Sequence, residues 1–181
     1  MEYDNQLDPI WKVYEVTKDC LKIAQKIVNR GNEYFLSETE FIGSSAQESK
    51  ERITKSRREA DDFIIMSLWV AFERIIIFYL HEKGRKILEA RPASFSHELY
   101  DKFEKEVEYW KVDDVLNLFK KDIDPKLIGN AKSIKKHRDW IAHRNPHRPS
   151  PGKVTPEHAY TILVEILSQI QNLQSQNEIS D

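Results

Sequence analysis

Residues 63–80 limit what this chain can fold into more than any other stretch. Phe63, Ile64, Ile65, Met66, Leu68, Trp69, Val70, Phe72, Ile75, Ile76, Ile77 and Phe78 would surround a helix on nearly every side. A helix that is apolar all round belongs in the centre of a bundle, at a subunit interface or in a bilayer. Glu73 and Arg74 stand in the middle of the stretch, and each charge at a bilayer centre costs roughly 2.5–3.5 kcal/mol. The stretch therefore reads as a buried core helix rather than a membrane span.

That helix is expected to begin well upstream. Ser45-Ala46-Gln47-Glu48 has the form of a capping box, in which the serine and glutamate side chains satisfy each other's backbone N–H groups. One long helix could run from there to Lys83 and end at Gly84. Its first half, through Arg58, is nearly all polar, with Ile53 as its one large apolar residue. Residues 43–60 are therefore expected to form an extension that is exposed, mobile or held by a partner.

The other segments carry similar punctuation. Asp8-Pro9 supplies an N-cap and a first-turn proline, followed by Ile10, Tyr14, Thr17, Leu21, Ala24 and Val28 on one face and Gly31 as the stop. Tyr34, Phe35, Phe41 and Ile42, in the connector that follows, are expected to pack on the body. Arg91-Pro92-Ala93-Ser94 breaks the chain, and Ser94 or Ser96 is expected to cap a helix with Leu99, Phe103, Val107 and Trp110 on one face. A short helix over 112–121 follows. Asp124-Pro125 repeats the opening signal, and Leu127, Ala131, Ile134, Arg138 and Ile141 form the inward row of the helix it starts. That helix should stop near His143, because the residue before a proline disfavours helix and Asn145-Pro146 comes next. Pro146, Pro149, Pro151 and Gly152 mark a loop. Thr155-Pro156 then caps a last helix carrying Ile162, Leu163, Ile166, Leu167, Ile170 and Leu173. The expected fold is a single all-α domain over residues 1–174, a bundle of about five to six helices with no sheet, and a frayed tail at 175–181.

Cys20 is the one cysteine among 181 residues, which leaves no internal disulfide and no cysteine-based zinc site. It is most simply a small apolar residue. The N-terminus is acidic and lacks the apolar run of a secretion signal, so a reducing, cytoplasmic setting is expected, with no membrane partner. Net charge is −2, but residues 120–153 hold seven lysines and three arginines against three aspartates, a local charge of +7, which leaves −9 for the rest. A basic segment on an acidic body suggests a local anion site.

Chemistry concentrates inside that segment. Arg138 falls in an apolar row, where an arginine needs an anionic partner or a cleft. Glu73 is available as a supporting partner. His143 falls where the helix should stop, beside the loop. A neutral imidazole can take a proton from a ribose hydroxyl and return one to a leaving oxygen, and a guanidinium can hold the phosphate between them. RNA supplies its own 2′-hydroxyl nucleophile, so this chemistry calls for no metal and no cofactor. Five residues along an ideal helix separate Arg138 and His143 by about 140°. They converge only if the helix frays at His143, if Arg138 reaches around, or if a second chain completes the site. Lys132, Lys135, Lys136 and Arg144 are candidate RNA contacts. His137, His143 and His147 are joined by no carboxylate cluster and do not read as a metal site. Trp140 fits the core or an interface better than a base-stacking platform.

Arg138-Asp139-Trp140-Ile141-Ala142-His143 resembles the Arg-x4-6-His signature of the HEPN family, which often reads Arg-Asn-x-x-Ala-His-Gly. Trp69-Val70-Ala71-Phe72-Glu73 resembles a core-helix pattern of some bacterial members. The resemblance spans roughly residues 63–173, by helix order more than by identities. It implies a dimeric helical bundle in which two Arg/His pairs share one cleft. It also implies metal-independent RNA cleavage in a toxin–antitoxin or antiviral setting, or else a catalytically silent module that binds a nucleotidyltransferase or another defence partner. By matching position, Arg138 would bind phosphate, His143 would be the acid/base, and Asp139 would take the polar place after the arginine. Arg144 departs from the usual glycine, which would alter the loop or add a phosphate contact, and Asp139 could pair with Arg138 and weaken it.

Overall fold

The structure is a computed structural model that describes residues 6–31, 33–144, 149–152 and 154–178. It is all-α: seven helices and no strand among the described residues. They are α1 (Leu7–Arg30), α2 (Glu33–Leu36), α3 (Ala46–Gly84), α4 (Ala93–Val107), α5 (Val112–Leu118), α6 (Pro125–His143) and α7 (Pro156–Glu178), with a 3-10 turn at Arg85–Glu89 after α3. The count exceeds the expected five to six by the four-residue α2 inside the connector.

Helix α3 is the axis of the bundle. Ser45 accepts a hydrogen bond from the Glu48 amide, and the Glu48 carboxylate accepts one from the Ser45 amide, so the capping box forms as expected. Ile64, Ile65, Leu68, Trp69, Phe72, Ile76 and Ile77 are buried, each large side chain contributing about 1.5–3 kcal/mol by leaving water. The 44-residue helical stretch Ala46–Glu89 holds a window apolar and long enough to cross a membrane, but 50% of that window is buried inside the fold. Such burial is compatible with a soluble protein. The polar first half of α3 continues the same helix. It is mostly exposed but buries Ser49 and Ile53, and Arg52 donates to the Glu40 carbonyl.

Helix α1 runs antiparallel to α3. Tyr14 donates to Asp61, and Lys18, further along α1, pairs with Glu157 at the start of α7. The expected inward row of α1 is buried or half-buried throughout, and Gly31 closes the helix in the left-handed conformation, φ 61°. Its start differs from expectation: α1 begins at Leu7, so Asp8 sits inside the first turn and accepts from the Tyr160 hydroxyl instead of capping. Helix α6 also runs antiparallel to α3, with Arg144 at Glu59 and Arg138 at Glu73. Asp124 caps α6 by accepting from the Lys126 amide, and Thr155 caps α7 by accepting from the His158 amide, both as expected.

Two further expectations give way. Neither Ser94 nor Ser96 caps α4: the N-cap is Pro92, and the buried Ser96 donates to the Ala93 carbonyl. Leu99 and Trp110 are exposed, leaving Phe103 and Val107 as the packed part of that face. Tyr34, Phe35 and Ile42 are exposed rather than packed; the two rings lean on each other, and Phe41 is half-buried. Gly84 ends α3, as expected, and is itself helical, at φ −62°. A Cβ there would come 2.1 Å from Cε1 of Phe103, so this glycine is a point of close approach between α3 and α4. Asn145, Pro146, His147 and Lys153, part of the proline loop, lie outside the described residues.

Candidate functional site

The contact between α3 and α6 brings the sequence-predicted residues into one region but not to one point. Arg138 belongs to the inward row of α6, and its guanidinium meets three groups. Nη1 lies 2.9 Å from an Asp139 carboxylate oxygen, Nη2 donates to Glu73 at 3.3 Å, and Cζ stands 5.7 Å from the centre of the Trp69 ring. Glu73 is thus the buried-row partner expected from sequence, and the competing pairing with Asp139 is present as well. Asp139 also accepts from Lys135 at 3.0 Å, and Lys135 lies 3.4 Å from Asp113 on α5. Burial alone would lower the Lys135 pKa, but Asp139 and Asp113 outweigh it and raise it. Charges therefore alternate through the region, from Asp113 to Lys135, Asp139, Arg138 and Glu73.

Three nitrogens in this contact are buried without a hydrogen-bond partner: Trp69 Nε1, His137 Nδ1 and Arg138 Nε. His137 is buried and stacks on Trp140, with ring centres 5.9 Å apart. An apolar core seldom tolerates such donors, because each unsatisfied buried group costs about 1–3 kcal/mol. Trp140 is half-buried against the core, as expected.

His143 is arranged differently. α6 stays helical through His143, so fraying does not bring it round to Arg138. His143 is exposed and makes no hydrogen bond or ion pair among the described residues. At about 100° per residue, Lys132, Lys136 and His143 fall within about 40° of one another on the outer face of α6. Lys136 is exposed, and Lys132 donates to Asn117 at 2.7 Å. His143 therefore shares a stripe with lysines, and Arg138 faces α3.

Arg144 ends α6 in the left-handed conformation, φ 39° and ψ 43°, the position where the resembled pattern has glycine. Its guanidinium holds both oxygens of Glu59, one at 2.9 Å, and lies 3.4 Å from Asp62. The hydrogen bond from Arg144 holds the Glu59 carboxyl below its usual range, while burial pushes Asp62 up in spite of Arg144 and His137 nearby. This clasp was not anticipated from sequence. Its signal was the acid pair Glu59 and Asp62, three apart on one helix face. Of the candidate RNA contacts, Lys136 makes no ion pair among the described residues, and Lys132, Lys135 and Arg144 are engaged within the fold.

The architecture defines an all-α bundle with a basic outer stripe on α6. No family model matches the chain, and neither a curated protein nor a solved structure matches it.

Proposed function

We propose that this protein is a metal-independent endoribonuclease of HEPN type, acting as a cytoplasmic homodimer in toxin–antitoxin or antiviral defence. The observation that carries the reading is the state of His143: an imidazole on the last turn of α6 without a partner among the described residues, on the same stripe as Lys132 and Lys136. Lysines on that stripe steer a phosphate backbone toward it. His143 removes the proton of the ribose 2′-hydroxyl and protonates the leaving 5′-oxygen. Arg138 neutralises the phosphate once it exchanges a carboxylate partner for a phosphate oxygen. Because the two residues diverge on one helix, the dimer supplies the shared cleft.

A second reading has its own support. Both terminal nitrogens of Arg138 already face carboxylates, Glu73 and Asp139, as in a structural ion pair. On that reading the chain is a catalytically silent module that holds a nucleotidyltransferase-type antitoxin or another defence partner. The two separate in one assay. Purified protein is incubated with mixed RNA in EDTA, and the ends are mapped. The nuclease yields 2′,3′-cyclic phosphates, and His143→Ala abolishes them while the melting temperature stays within about 1 °C, since an exposed residue without partners changes stability little. Intact RNA at micromolar protein supports the silent module. Cleavage that survives His143→Ala rejects the assignment of His143, and 5′-phosphate ends or loss of activity in EDTA point to a metal nuclease.

A further inference from the structure

Helix α1 has two apolar faces. One is the row from Ile10 to Val28 turned to the bundle. The other is Val13, Val16, Cys20 and Ile23, continued by the half-buried Ile27. The steps of three, four, three and four are those of a coiled-coil seam, and this seam faces outward. On α3, Phe63 and Val70 are exposed as well. Exposure across these five large side chains runs from 55% at Val70 to 68% at Val13.

The two stripes share one flank of the bundle. α1 turns Trp11 and Lys18 toward α7, Trp11 stacking on Tyr160 at 4.6 Å and Lys18 pairing with Glu157 at 2.7 Å. Tyr14 points to α3. The seam lies about 140° round from Tyr14 and about 160–180° from Trp11 and Lys18, on the side away from α7. On α3, Phe63 and Val70 lie about 140–180° from the buried Ile65 and Phe72. The face is one helix of 24 residues long, about 36 Å, and two helices wide, about 20 Å. That gives roughly 700 Å², close to the ~800 Å² that each partner contributes to a standard interface.

We propose that this α1–α3 face binds a second copy of the same chain, with the two α1 helices antiparallel across a twofold axis near Lys18 and Asp19. Such an interface must be complementary to itself, and the seam is: Val13 meets the partner's Ile23, and Val16 meets the partner's Cys20. Asp19, near the axis, is already neutralised by its own Lys22 at 2.8 Å. The axis also passes close to the level of the α6 end. Tyr14 is level with Asp61, so Lys18 is level with residues near Glu59, where Arg144 is clasped. The two His143-bearing ends then stand at the same height beside the axis rather than at opposite ends of the assembly. This inference names the surface of the dimer invoked above, and it does not depend on whether the site cuts RNA.

The test is sedimentation of the full chain at 5–100 µM (about the range for a standard interface), alongside circular dichroism. The wild type is expected at twice 21.4 kDa. Val16→Glu and Ile23→Glu should each weaken the dimer by about a hundredfold without loss of helix, as for a residue at the centre of an interface. Val16→Cys should form a disulfide-linked dimer through the partner's Cys20 on mild oxidation, and the wild type should not. A wild-type monomer at 100 µM overturns the proposal and leaves the face to a different protein. A dimer indifferent to Val16→Glu and Ile23→Glu assigns assembly to another surface. Nuclease activity is read separately, so a dimer that leaves RNA intact rejects the RNA reading alone.

Discussion

Arg138→Ala tests how much of the candidate site is scaffold. The guanidinium faces Glu73 at 3.3 Å and Asp139 at 2.9 Å and lies over Trp69 at 5.7 Å. Opposite charges about 4 Å apart attract by roughly 4 kcal/mol at an effective dielectric of about 20. The side chains of Arg138 and Glu73 are 24% and 32% exposed, so desolvation and screening reduce the pair to about 1–2 kcal/mol net. The cation over Trp69 adds about 1 kcal/mol, and the aliphatic stem covering α3 adds a similar amount. Arg138→Ala should therefore cost about 3 kcal/mol, a fall in melting temperature of roughly 6–12 °C for a domain of this size. Urea and thermal melts of Arg138→Ala, Glu73→Ala and the double variant measure it, with an expected coupling of about 1–2 kcal/mol. A melting temperature within about 1 °C of wild type, or a coupling near zero, would refute the view that Arg138 ties α6 to α3. The destabilised variant should still be folded at 25 °C, so loss of RNA cleavage there would report chemistry as well as scaffold.

Gly84→Ala should destabilise by about 1–3 kcal/mol, because its Cβ would enter the Phe103 ring and force α4 away from α3. An ordinary helical glycine would instead gain about 1 kcal/mol from alanine, so a raised melting temperature contradicts the close approach. His143→Ala should leave the melting temperature unchanged while removing RNA cleavage; a large loss of stability would mean that His143 is a structural residue. Stability should fall in acid. Partners hold Asp19, Glu48, Glu59, Glu108 and Glu157 below their ordinary values of 3.8 for aspartate and 4.5 for glutamate. A depressed folded pKa gives stability that is present above the unfolded value and lost as pH falls through the folded one. Asp62, raised by burial, works in the opposite direction as the lone counterweight among the shifted carboxylates. The urea midpoint should be level from pH 6 to 8 and drop below about pH 4; an equal midpoint at pH 3.5 and 7 would contradict this.

Much of the fold was legible because local chemistry and tertiary packing agree. The capping box at Ser45, the Asp124-Pro125 start, the Thr155 cap and the inward rows of α1, α6 and α7 all act where they were placed. Signals failed where tertiary contacts overrode them. Asp8 gives up capping because Tyr160, 152 residues away, offers its hydroxyl. Gly84 stops α3 where expected, but the glycine is required by the close approach of Phe103 rather than by a left-handed turn. Trp69 and Phe72, on the helix that is apolar all round, are fully buried within the chain. The surface that is exposed comes instead from Val13, Val16, Ile23, Phe63 and Val70. A helix with two apolar stripes hides the second one from a reading that looks for a single inward face.

The site was legible as a set of residues but not as an arrangement, and the reason lies in the two ends of α6. An arginine in an apolar row announces that an acid must meet it, and Glu73 could be named. Nothing in the local pattern says whether an adjacent Asp139 pairs with its neighbour or stays in water, because that depends on where Lys135 and Asp113 lie. At the helix end, glycine would let the chain turn left-handed without strain and leave the loop loosely held. Arg144 takes the same backbone conformation with a side chain, and Glu59 and Asp62 hold that side chain against α3. The substitution therefore trades an easy turn for a charged clasp, one turn of α3 before Phe63. His143 is then carried on a helix end fixed to the core, with its own side chain left to solvent. A fixed backbone and a free imidazole suit an acid/base residue that must meet a substrate brought from outside. The same geometry suits a binding surface that is rigid before its partner arrives. What separates the two is whether a phosphate can take the place of a carboxylate at Arg138, an exchange that Glu73 and Asp139 oppose and that the lysines of the outer stripe can only bring near.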